Sequence, residues 1–98
     1  MDEPSAKEEA VLDVVETIPR GFVMSYGDVA DRAGLGSARF VGQALARWGD
    51  EVAWQRVVMS DGSFAKHLAL EQQELLRAEG TPLTGDGKRV NMRSARFA

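Results

Sequence analysis

Ser25-Tyr26-Gly27-Asp28-Val29-Ala30-Asp31-Arg32-Ala33-Gly34-Leu35-Gly36-Ser37-Ala38-Arg39-Phe40-Val41-Gly42-Gln43-Ala44-Leu45-Ala46-Arg47-Trp48 is the stretch on which the fold turns. Tyr26, Val29, Ala30 and Ala33 recur at i, i+3, i+4 and i+7, one face of a helix. Ser25 stands where a cap is needed, with Asp28 three residues later to complete a capping box. Gly34 and Gly36 close the helix, because glycine enters left-handed backbone at little cost. Ser37 then caps a second helix with the stripe Val41, Ala44, Leu45 and Trp48, ended by Gly49-Asp50. Two short amphipathic helices across a glycine-containing turn predict a helix-turn-helix over about 25–48. The second helix of such a pair is the one expected to lie on DNA. Helix pairs also occur in domains without a nucleic-acid role, so geometry alone leaves an interaction module open.

Upstream, Val11, Val14, Val15 and Ile18 form another helical stripe, with Ser5 and Glu8 as a capping box and Pro19-Arg20-Gly21 as the stop. Downstream of Asp50 the period is lost. Val52 to Met59 predicts an extended segment, and Ser60-Asp61-Gly62-Ser63 a turn. Leu68 to Ala78 predicts a helix anchored in the core by Leu75 and Leu76 and stopped at Gly80. Thr81 to Gly87 is loop. Val90 and Met92 alternate with Asn91 and Arg93, a short strand or an extended tail.

The chain has 98 residues, 44% hydrophobic and 28% charged, which fits one globular domain over 1–98. It has no cysteine. That excludes disulfides, thiolate metal sites and a cysteine nucleophile. One histidine, His67, argues against zinc, and no cofactor is expected. No apolar run nears the roughly 20 residues that span a bilayer. The acidic N-terminus lacks the apolar core of a signal peptide. These features predict a cytoplasmic chain, associated with the nucleoid in a bacterium and nuclear in a eukaryote.

The net charge of −3 argues against nucleic acid until its distribution is read. Residues 1–19 hold six acids against Lys7, a net −5, so the remainder is +2. From Lys88 onward there are four bases and no acid. Charge is segregated along the chain, and one face can carry a basic footprint. A solvated acidic helix and a solvated basic tail explain the same numbers.

Several single residues invite a functional reading. Gly42 sits inside a helix, where it costs about 1 kcal/mol relative to alanine. Either another backbone approaches it closely or it eases helix packing. Arg39 lies in a first helical turn, where the dipole disfavours a cation. It either serves a ligand or is solvated, with Asp31 as a possible partner. Tyr26 fits a core, with its hydroxyl reaching a partner. Trp54 fits a core, or a wall on which a flat ring stacks. Arg56 needs a shielded partner, and Glu79 is available. His67 reads as a solvated surface side chain.

In order along the chain these residues resemble a known family. Ile18-Pro19-Arg20-Gly21-Phe22-Val23-Met24-Ser25-Tyr26-Gly27-Asp28-Val29-Ala30 resembles the opening of the DNA-binding domain of O6-alkylguanine-DNA alkyltransferases. Ala38 to Leu45 resembles the recognition helix of that family. Val52-Ala53-Trp54-Gln55-Arg56-Val57-Val58 falls where the family carries its Pro-Cys-His-Arg-Val motif. Leu75-Leu76-Arg77-Ala78-Glu79-Gly80 resembles its closing Leu-Leu-x-x-Glu-Gly segment. Tryptophan at the cysteine position is similar to the alkyltransferase-like branch, which lacks the acceptor cysteine and binds alkylated DNA without repairing it. A chain of this length without a second domain suits that branch. Proline and histidine of the motif are Ala53 and Gln55 here, so the residue that activates the thiolate is also missing. Dealkylation needs a soft nucleophile, and an indole can stack but cannot accept an alkyl group. The chain is therefore expected not to be an enzyme.

The resemblance implies a mainly α, winged-helix-like domain with a helix-turn-helix and a short extended or β segment. It implies double-stranded DNA containing alkylated guanine as partner, bound by a monomer through the minor groove. Ser25, Tyr26, Ala38, Arg39, Gly42 and Gln43 would contact DNA, with Arg39 filling the space left by a nucleotide that Tyr26 helps rotate out. Flipping costs a few kcal/mol, less for a poorly paired base. The base would enter a pocket of Tyr26, Trp54, Arg56, Val57, Val58, Met59 and Ser60 on the segment 52–63, its edge read by the backbone of 57–60. A bent, persistent complex would then flag the damage for nucleotide excision repair proteins. The tail 88–98 is either a DNA contact or disordered. A regulator reading undamaged sequence in the major groove is the alternative that uses the same helices.

Overall fold

Three serines set where the first helices begin. In a computed structural model of the chain, which describes residues 3–97, Ser5 caps α1 (Ala6–Glu16), Ser25 caps α2 (Tyr26–Arg32) and Ser37 caps α3 (Ala38–Trp48). Asp2 and Ala98 lie outside the described residues. The first two caps are full capping boxes. Ser5 Oγ accepts from Glu8 N at 3.1 Å, and Glu8 Oε1 accepts from Ser5 N at 2.8 Å. Ser25 Oγ accepts from Asp28 N at 3.0 Å, and Asp28 Oδ2 accepts from Ser25 N at 3.2 Å. Such a cap contributes about 1 kcal/mol, which matters most for a helix of only 7 residues such as α2. Gly34, at φ +75, ends α2 in the left-handed region; Gly36 does not take that conformation.

The helical stripes meet as the periodicity requires. Val11, Val14, Val15 and Ile18 of the first helix and its exit pack with Val29 and Ala30 of α2 and with Val41 and Ala44 of α3. Each bulky aliphatic side chain buried there contributes about 1.5–3 kcal/mol. The helix-turn-helix is thus backed by α1, and its outer face is left open.

A short β element joins this core to a second one. β1 (Met24–Ser25) pairs in parallel with β2 (Val57–Val58), Met24 opposite Val57 and Ser25 opposite Val58. Successive side chains on a strand face opposite ways. Accordingly Met24 and Val57 enter the first cluster, while Val23 and Val58 enter a second with Leu76, Val90 and Ala95. The architecture is mainly helical, with a helix-turn-helix and an unclosed two-stranded β element.

The second half departs from three expectations. Residues 54–56 form a 3-10 turn rather than continuing an extended run, and only 57–58 are strand. In α4 (Ala69–Ala78) Leu76 is fully buried but Leu75 is 36% exposed. The inward place goes to Gln72, 1% exposed, whose Nε2 donates to Gln55 O at 3.0 Å and Val57 O at 2.8 Å. A buried amide is tolerated because both bonds are made. The C-terminal segment is packed, not loose. It forms α5 (Met92–Ala95), with Val90 and Ala95 buried. Among the described residues no helix is long and apolar enough to cross a membrane.

Candidate functional site

Trp54 and Arg56 leave one 3-10 turn on two different sides. Arg56 turns inward. Its Nε donates to Glu79 Oε1 at 3.0 Å, one terminal nitrogen to Glu79 Oε2 at 3.0 Å, and the other to the Ile18 carbonyl at 2.8 Å. Gln55 Nε2 adds a bond to Glu79 Oε2 at 2.8 Å. Both charged side chains are largely shielded. Burial raises the Glu79 carboxyl, but the bonds from Arg56 and Gln55 outweigh it and hold the group below its ordinary value. A bidentate arginine–carboxylate pair is rigid as well as strong. It ties the end of α1, the 3-10 turn and the end of α4 together.

Trp54 turns outward into a cavity of about 790 Å³. That volume suits a flat organic group with a substituent. Trp54, Met59 and Tyr26 line the cavity. Ala38, Arg39, Gly42 and Gln43 line it from α3. Burial pushes the Tyr26 hydroxyl above its ordinary value. Gly49 lies beside Trp54: a Cβ there would sit 3.4 Å from Trp54 Cβ, a close contact. Gly42 has no crowding neighbour; a Cβ would meet only Tyr26 Cε1 at 4.0 Å. No close backbone approach within the chain accounts for it, and its effect is to keep the mouth shallow.

Arg39 is exposed and has no ion-pair partner among the described residues, Asp31 included. A cation placed against the helix dipole and left unpaired is available to a ligand.

The cavity gathers some of the expected residues and not others. Tyr26, Ala38, Arg39, Gly42, Gln43, Trp54 and Met59 surround it. Ser25 is buried as the cap of α2. The side chains of Val57 and Val58 belong to the two cores, because a strand in the middle of the molecule buries both faces. Arg56 is held by Glu79, and Ser60 lies outside the cavity wall. Of the backbone of 57–60, Val57 O already accepts from Gln72, and Met59 N donates to Ser63 O at 2.9 Å.

The wall opposite α3 was not expected. Ala65, His67, Leu68 and Glu71 complete it, and Asp50 stands at its end. His67 is exposed as expected, yet it faces the cavity. Its only signal in the sequence was its position just ahead of a helix that returns to the 3-10 turn. Among the described residues no group of His, Cys, Asp and Glu could hold a metal ion.

Residues 6–81 match the family model described as 6-O-methylguanine DNA methyltransferase, DNA binding domain. The chain belongs to this family. It is 37% identical over 94 residues to the DNA base-flipping protein of Escherichia coli K12, covering 90% of this chain and 72% of that protein. It is 42% identical over 74 residues to alkyltransferase-like protein 1 of Schizosaccharomyces pombe, covering 70% and 68% respectively. The fold superposes on the crystal structure of S. pombe Atl1 in complex with damaged DNA containing O6-carboxymethylguanine, with TM-score 0.83 and 30% identity, covering 100% of this chain and 99% of that one. Within the family this chain is a member without cysteine.

Proposed function

We propose that this protein recognises O6-alkylguanine in duplex DNA without repairing it. The observation that carries the reading is the cavity beside α3, lined by Tyr26, by Arg39 without an ion-pair partner among the described residues, and by the Trp54 indole, in a chain of this family without cysteine. The likeness to a relative bound to damaged DNA supports it.

In this reading α3 enters the minor groove, with Ala38, Gly42 and Gln43 against the backbone and Ser25 fixing the start of α2. Tyr26 pushes the phosphate and Arg39 takes the vacated place in the stack. The flipped base lies on Trp54, and Met59 covers the alkyl group. Base–aromatic stacking is worth about 1–3 kcal/mol, comparable to the few kcal/mol that flipping costs, and a weakly paired lesion lowers that cost. Selectivity follows from this balance. With no nucleophile the complex persists, and its function is to mark the site for nucleotide excision repair proteins. The bound form is a monomer, acting where the DNA is.

Direct titration of duplexes with and without one O6-methylguanine at fixed salt tests the proposal. The expected result is tighter binding to the damaged duplex. Equal, salt-sensitive binding to both would instead favour a regulator. No binding to either would leave an interaction module.

A further inference from the structure

The C-terminal segment is wired to the first turn of the helix that carries Tyr26. Val23 N donates to Ala95 O at 2.9 Å, and Phe97 N donates to Val23 O at 2.7 Å, so the segment runs parallel beside the residue preceding β1. Phe97 meets the Phe22 ring edge-on at 6.4 Å, and the Arg32 guanidinium lies 5.8 Å from the Phe97 ring. Between these contacts Arg96 grips Asp28 with both arms, Nε to Oδ2 at 2.9 Å and a terminal nitrogen to Oδ1 at 2.6 Å. Asp28 Oδ2 also accepts from Ser25 N, the other half of the α2 capping box. One carboxylate oxygen therefore serves the cap and the tail together. The Arg96 bond is the largest reason that the Asp28 carboxyl lies below its ordinary value.

We propose that Arg96 is a positioning residue for nucleotide flipping. By fixing the Asp28 carboxylate it fixes the cap at Ser25, and so the direction in which Tyr26, the next residue, leaves the backbone. The inference rests on the lesion-flipping reading above. Its ground is that Arg96 contributes little else. Its side chain is 55% exposed against 18% for Asp28, so solvent screens the pair and its contribution to stability is modest. The fork is well formed all the same, and it acts on the first turn of a helix of 7 residues, through the carboxylate that completes the capping box there. β1, which directly follows the residue that receives the tail, pairs with β2, which lies between Trp54 and Met59. The cavity residues Tyr26, Trp54 and Met59 thus share one reference, with Arg96 at its outer edge.

The full chain is compared with Arg96→Met, Arg96→Lys, Asp28→Asn and the Asp28→Asn/Arg96→Met pair. The probe is a duplex with one O6-methylguanine and 2-aminopurine as its 3′ neighbour, whose fluorescence rises when the neighbour leaves the stack. An undamaged duplex is run beside it. Arg96→Met is expected to keep its thermal transition and its affinity for undamaged DNA. It should lose about tenfold in lesion affinity, the scale of one charge-assisted bond, and part of the fluorescence rise at saturation. Arg96→Lys should recover part of both, Asp28→Asn should match Arg96→Met, and the double variant should be no worse than either single one. Wild-type flipping in Arg96→Met overturns the proposal. So does equal weakening on both duplexes with a salt slope lower by about one, which makes Arg96 a phosphate contact. Absence of lesion preference in the wild-type chain sinks the flipping reading itself, and the proposal with it.

Discussion

Trp54 and Arg56 are two residues apart, and they belong to different regions of the molecule. The Trp54 side of the 3-10 turn faces an open cavity, where shape and stacking matter and the fold gains little. The Arg56 side is closed. There Gln55, Arg56, Glu79 and the Ile18 carbonyl satisfy one another. If these positions correspond to the motif that the sequence resembles, the acceptor and the activating histidine are replaced here, and Trp54 and Arg56 divide into a ligand surface and a structural clamp. Replacing a catalytic residue changes what its neighbours are for, even where their identity is kept.

That separation breaks most visibly on the clamp side. Glu79→Ala leaves the Arg56 guanidinium shielded and half-paired. Loss of one partner of such a pair costs about 3–5 kcal/mol, and each kcal/mol lowers the melting temperature by about 4–8 °C in a domain of this size. Thermal unfolding followed by circular dichroism should show a large drop for Glu79→Ala. Trp54→Ala should fall less, since its ring is only partly buried and lines the cavity.

On the cavity side the effects invert. Trp54→Ala should weaken binding to an O6-methylguanine duplex by about 1–3 kcal/mol, the worth of one stacked base. Binding to undamaged duplex should stay near wild type. Arg39→Ala should reduce the ratio of damaged to undamaged affinity and lower the salt slope by less than a phosphate contact would, as read by anisotropy at several salt concentrations.

A smaller effect sharpens the clamp's electrostatics. Glu79 titrates below its ordinary value in the folded chain. Its contribution to stability is complete above the unfolded-state value and is lost as pH falls through the lower folded-state value. Denaturant unfolding from neutral pH down into that acid range should show a loss in the wild type that is reduced in Glu79→Gln. Asp28, held by Arg96, adds a loss of the same sign.

The smallest expected change is none. Trp54→Cys restores a thiol beside Gln55 but no imidazole, and a free cysteine is mostly protonated at neutral pH. Transfer of a labelled methyl group from O6-methylguanine to Trp54→Cys should stay at background. The Trp54→Cys/Gln55→His pair should exceed it.

How much was legible in the sequence follows the same division. The helix-turn-helix was open to reading because its signals are local: Ser25 with Asp28, Ser37, Gly34 and the i, i+3, i+4 stripes all act within a few residues. The pairing of Arg56 with Glu79 was reachable too, since a shielded guanidinium demands a carboxylate. Other features depend on contacts far apart in sequence. Leu75 and Leu76 are equal in propensity, and only the position of α4 over the 3-10 turn decides that Gln72 and Leu76 face inward. Val57 and Val58 look like pocket lining until both faces of β2 are seen to be covered. His67 and Glu71 carry no motif, and they reach the cavity because the 3-10 turn at 66–68 and α4 pack together, with α4 against the turn at 54–56. The tail looked free because its tie runs from Arg96 to Asp28, 68 residues away.

The central claim is that an alkylated guanine leaves the helix and lies on Trp54. It is tested most directly by the emission of Trp54 in a Trp48→Phe chain, where Trp54 is the one remaining tryptophan. A duplex with one O6-methylguanine should quench that emission stoichiometrically, and the undamaged duplex, at a concentration where it is bound, should leave it nearly unchanged. Equal quenching by both duplexes, or none by either, would contradict the account.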